Sequence, residues 1–83
     1  ARKRDEAEQR KRDRARKALE ARIAEMEGRI GEAEQAIKAL EARMAEPDFY
    51  TRPDGGKPVL GEHQALMWKV GELLSQWEML TAE

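Results

Sequence analysis

The chain contains no cysteine. That excludes a disulfide frame and a thiolate metal site, and it is compatible with a cytoplasmic setting. Aromatic residues make up only 5% of the 83 positions, against 40% charged residues. This balance suits a helical hairpin or coiled coil better than a compact globule. A chain this short has too little volume to enclose a deep pocket. Apolar runs long enough to span a bilayer are also missing, as is a signal-peptide core. The expectation is a single soluble module with no membrane partner.

Catalytic groupings are lacking as well. The one histidine, His63, has no cysteine or second histidine near it, and it falls at a position that reads as seam, so a packed or edge-exposed neutral imidazole is expected and no metal site. Gly55-Gly56-Lys57 lacks the spacing and the preceding strand of a phosphate-binding Walker loop. The many carboxylates lie on solvated helix faces. This chain is therefore expected not to be an enzyme by itself and to hold no cofactor.

What is present is periodicity. Leu19, Ile23, Met26, Ile30, Ala33, Ile37, Leu40 and Met44 recur at alternating steps of four and three, with isoleucine at three of the four a positions. Glu20, Glu27, Glu34 and Glu41 border this stripe at e, while Arg22, Arg29 and Arg43 border it at g. An apolar seam flanked by charge is built to lie along another helix. Gly28 and Gly31 interrupt the helix at about 1 kcal/mol each relative to alanine, but both lie off the stripe.

The partner helix lies in the same chain. Pro47 to Lys57 holds two prolines, two glycines and two aspartates, a strong breaker. Beyond it, Val59, His63, Leu66, Val70, Leu73, Trp77 and Leu80 repeat at four and three, after Pro58 in what suits a first helical turn. Folded back antiparallel, the two stripes form seven layers in one register, from Met44–Val59 through Leu40–His63, Ile37–Leu66, Ala33–Val70, Ile30–Leu73 and Met26–Trp77 to Ile23–Leu80. The predicted fold is all-α: an antiparallel two-helix coiled-coil hairpin with a long first helix. Its divisions are a basic helical extension or linker at 1–18 and a hairpin at 19–83, with helices at 19–46 and 58–82 and a loop at 47–57. The isolated chain is expected to be monomeric, since the hairpin closes on itself.

Three sets of residues stand out as candidate sites. The first is the extension. Residues 1–22 carry ten Lys/Arg against five Asp/Glu, whereas residues 23–83 carry six against twelve. Arg10, Lys11, Arg14 and Lys17 read as a phosphate-facing ridge, with Arg2, Lys3 and Arg4 as a fringe. Pairs such as Asp13 with Lys17 would instead make it a solvated helix face. Without aromatics beside these charges, nucleic-acid binding would follow the backbone and not the sequence. The second set is Phe49 and Tyr50 in the loop, expected to fold back as a plug over the closed end near Leu40, Met44 and Val59. The third is a row beyond the needs of two strands: Leu60, Met67 and Leu74, beside Trp68. The stems of Glu41, Glu34 and Glu27 are one cover for it; otherwise it is a candidate docking ridge.

These residues resemble a known family. A basic helix, a heptad helix ending in AEPDFY, a polar loop and a second helix ending in QWEML are similar to the C-terminal domain of ABC-F ATPases, in particular Uup-like members. The family turn reads (A)-D/E-P-x-F/L-Y, matched by Pro47, Asp48, Phe49 and Tyr50; its second helix ends near W-E-x-L, matched by Trp77, Glu78 and Leu80. The resemblance implies a cytoplasmic appendage following two ATP-binding domains that act in cis and that alone would hold ATP and magnesium. It implies a parent ATPase acting on the ribosome in translation, with DNA binding associated with this domain in Uup-like members. rRNA, tRNA and DNA all stay open as targets. The chain departs from the pattern in its Gly55-Gly56 loop and its acidic hairpin, which argues against duplex contact along the hairpin. The competing reading is a structural arm, or a docking or dimerisation coiled coil.

Overall fold

The computed structural model describes residues 2–82. Helix α1 spans Arg2–Met44, a short 3-10 turn spans Phe49–Thr51, and helix α2 spans Lys57–Thr81. The two helices run antiparallel along a rod measuring 75 × 15 × 15 Å. At about 1.5 Å per residue, α2 reaches a little over half the length of α1. The basic segment is continuous with the seam helix, because Ala, Arg, Lys, Glu and Gln favour helix and nothing breaks the run. Among the described residues no helix is long and apolar enough to cross a membrane.

The two stripes meet as the register requires. Ile30, Ala33, Ile37 and Leu40 of α1 and Val59 and Leu73 of α2 are buried. Apart from Leu19, the remaining seam residues are half-buried, among them Ile23, Met26, Val70, Trp77 and Leu80. Two cross-seam contacts fix the alignment. The Trp77 indole donates to Glu27 Oε2 at 3.2 Å, and His63 Nε2 lies 3.4 Å from Glu41 Oε2. Glu27 and Glu41 directly follow Met26 and Leu40, the residues layered against Trp77 and His63. Leu19, the first residue of the sequence stripe, is 41% exposed. The layer beyond Ile23–Leu80 falls past Thr81, the last helical residue of α2 among the described residues.

The helix ends differ slightly from the expected 46 and 58. The last regular residue of α1 is Met44, and the chain then tightens, with Glu46 N donating to Arg43 O at 3.2 Å. Pro47 forces this, since the residue before a proline avoids helical backbone. Helix α2 begins at Lys57, with Pro58 in its first turn, where a missing N–H costs nothing.

The loop is a lock built on Phe49. This ring is the largest fully buried side chain and sits with Leu40 and Val59, while Met44, Leu60 and Leu66 pack around it. Its seat is Gly56, where a Cβ would collide with the ring. Gly55 and Gly56 adopt φ of 63° and 75°, a region that only glycine enters without strain. Asp54 Oδ1 accepts from Gly56 N at 2.8 Å and holds that turn. Arg52 closes the other side, 5.8 Å above the Phe49 ring centroid and 3.5 Å from Glu46. Tyr50 does not join the plug. It is 63% exposed and touches Phe49 edge-on, with centroids 4.8 Å apart. Adjacent residues in a tight 3-10 turn point in different directions, so only one of the two rings can face inward.

Candidate nucleic-acid interface

The candidate interface is the projecting part of α1. Helical geometry puts Lys3, Arg10 and Lys17, each seven residues apart, on one line with a repeat of about 10.5 Å. Arg14 falls beside this line, and Ala7, Arg10, Asp13, Arg14 and Lys17 together form a shallow hollow. Lys11 does not share the strip. It lies about 100° round the helix from Arg10, on a shoulder with Arg4. In heptad terms the strip occupies b and f positions, so it faces away from the side on which α2 packs further along. Arg2 falls well off this line. The fringe therefore divides, and Lys3 alone of its three members extends the strip.

Asp13 pairs otherwise than the sequence suggests. Its carboxylate accepts from Gln9 Nε2 at 3.1 Å and lies 3.7 Å from Arg16, which also reaches Glu20 at 3.9 Å. Arg16 thus takes the acid that the spacing assigns to Lys17. Among the described residues, none of Arg10, Lys11, Arg14 or Lys17 comes within 4 Å of a carboxylate oxygen. Their charges are exposed and project from a straight helix. Such a strip can neutralise phosphates, and it carries no aromatic ring on which a base would stack.

The third residue set separates in the structure. Leu60 turns toward the loop core, whereas Met67, Trp68 and Leu74 are 53%, 73% and 42% exposed. Trp68 Nε1 donates to Glu72 of its own helix at 2.8 Å. Met67 and Trp68 are largely uncovered and Leu74 partly so, while Glu27 and Glu41 reach for Trp77 and His63. Among the described residues no group of three or more His, Cys, Asp or Glu is placed to hold a metal ion.

Sequence reasoning missed two members of the loop lock, Gly56 and Arg52. The signal for Gly56 was available, since a second glycine directly before a proline-started helix asks for a backbone reason. Arg52 gave no signal, as its place over Phe49 depends on how the turn closes.

A family profile described as ABC transporter C-terminal domain matches residues 7–82. The matched span takes in both helices, the loop lock and the strip from Arg10 to Lys17, and leaves out Arg2, Lys3 and Arg4. No curated protein and no solved structure matches the chain significantly.

Proposed function

Because the chain belongs to the ABC transporter C-terminal domain family, we propose that it is the nucleic-acid- or ribosome-contacting appendage of a cytoplasmic, Uup-like ABC-F ATPase acting in translation. ATP and magnesium chemistry belongs on this reading to ATPase domains in cis, and the appendage binds without catalysing. The observation that carries it is the division of charge along the rod. The ten Lys/Arg of residues 1–22 stand against five acids, and the balance reverses beyond them. Phosphate is drawn to the projecting helix and repelled by the hairpin. The hairpin then serves as a stiff spacer that keeps the strip oriented.

Phosphate contact of this kind gains its free energy from released counterions, so it weakens steeply with salt. The test is a salt titration of RNA and DNA binding by the chain and by a variant with Arg10, Lys11, Arg14 and Lys17 all changed to Gln. Each lost contact should lower the slope of log K by about 0.9 on duplex DNA, or about 0.7 on a single strand. Unchanged affinity and slope in the variant would reduce the strip to a solvated helix face.

A further inference from the structure

Helix α2 carries a second stripe of which the hairpin uses only the first residue, Leu60, in its loop core. Leu60, Gln64, Met67, Gly71, Leu74 and Glu78 recur at steps of four and three, the spacing of the stripe that already pairs with α1. A helix with one neighbour needs only one such seam. Of this second seam, Met67 and Leu74 stay 53% and 42% exposed, next to Trp68 at 73%. Between them, a Cβ built on Gly71 would meet nothing, so another backbone can approach closely at that point.

The border of this face is acidic. Glu27, Glu34 and Glu41 share one heptad position on α1, and the contacts to Trp77 and His63 show that this position flanks the a residues of α2. The α2 stripe lies on that same flank. The result is a groove with an apolar floor of Met67 and Leu74 and a row of carboxylates along one edge.

We propose that this groove binds a third helix, a cationic amphipathic segment of a protein partner, to form a three-helix coil. Large aliphatic side chains of that segment would pack on Met67, Gly71 and Leu74, and its Lys or Arg side chains would run beside Glu34 and its neighbours. Charge complementarity selects this occupant over a second copy of the chain. Residues 1–18 of another copy have the charge, but no apolar side chain larger than alanine. Another copy's hairpin groove would bring carboxylates against carboxylates, which is repulsive. The inference is independent of the nucleic-acid reading, since it uses the acidic end of the rod and a partner of opposite charge.

The probe is a synthetic three-heptad peptide with Leu at a and d and Lys at e and g. Its controls are an isomer with Glu in place of Lys and a scrambled sequence. Trp77→Phe leaves Trp68 as the only tryptophan, so its emission reports on the groove. The cationic peptide should shift that emission to the blue in a saturable way, and the controls should not. Met67→Gln with Leu74→Gln, both at exposed sites and checked for retained helicity, should weaken binding about tenfold, as loss of apolar anchors does. Glu34→Gln should flatten the salt dependence. The proposal is overturned by no shift with the cationic peptide, by equal binding of the scrambled one, or by undiminished binding in the double Gln variant. Burial of Trp68 by self-association without peptide would equally overturn it, in favour of a second copy.

Discussion

The two ends of α1 differ in what surrounds them. At the closed end Leu40, Phe49 and Val59 are buried in one cluster. At the other end, residues 2–12 are all exposed, and the acid at position 13 only spans to Gln9 and Arg16. The hairpin therefore places its stability where its charge is least useful for phosphate, and its cations where they contribute little to stability. A rod organised this way can present a binding strip without weakening its own fold.

The sharpest break of this contrast is at the lock. Phe49→Ala should cost about 3 kcal/mol, the usual range for a buried aromatic reduced to alanine, measured by urea unfolding followed by circular dichroism. Tyr50→Ala, one residue on, should cost less than about 0.5 kcal/mol, as at other exposed sites. Equal effects at the two positions would mean that the turn does not discriminate between the rings.

Gly56→Ala comes next. The new methyl would meet the Phe49 ring, and the backbone would hold alanine at φ 75°. A loss of about 2 kcal/mol is expected from strain and displaced packing together. Combining it with Phe49→Ala should give less than the sum, because both changes act on one contact. Additive losses would separate the glycine from the ring.

Smaller effects of opposite sign belong to the helix between the two ends. Cβ atoms at Gly28 and Gly31 would meet nothing, so Gly28→Ala and Gly31→Ala should each stabilise the hairpin by up to about 1 kcal/mol. A loss of stability at either position would show that a contact made in solution needs the absence of a side chain there.

The smallest effect is expected at the strip itself. Changing Arg10, Arg14 and Lys17, together with Lys11 on the shoulder beside them, to Gln should leave stability nearly unchanged, within about 0.5 kcal/mol, while lowering the salt slope of nucleic-acid binding on the proposed reading. A large drop in stability would mean that the strip carries the fold, and the contrast between the two ends would fail.

The heptad stripes were enough to read two helices, their antiparallel pairing and the register, because a 3.6-residue helix places such positions on one face whatever surrounds them. The turn was legible from Pro47 and the two glycines for an equally local reason, since proline and positive φ act on single residues. The candidate strip was less so. Charge spacing puts Arg10, Arg14 and Lys17 on neighbouring positions of the helix, but it also puts Lys11 with them and pairs Asp13 with Lys17 where the structure pairs it with Arg16, as long side chains choose among several neighbours within reach.

Periodicity and composition thus determined the hairpin, its axis and its charge division, all properties of backbone geometry and of summed charge. The tertiary structure alone decided which of two adjacent aromatics became the lock, that Gly56 is its seat, and that Leu60 turns inward while Met67 and Leu74 stay exposed. Those outcomes depend on where two helix ends meet and what space remains between them. No spacing rule carries that information, because the space exists only once both helices are in place.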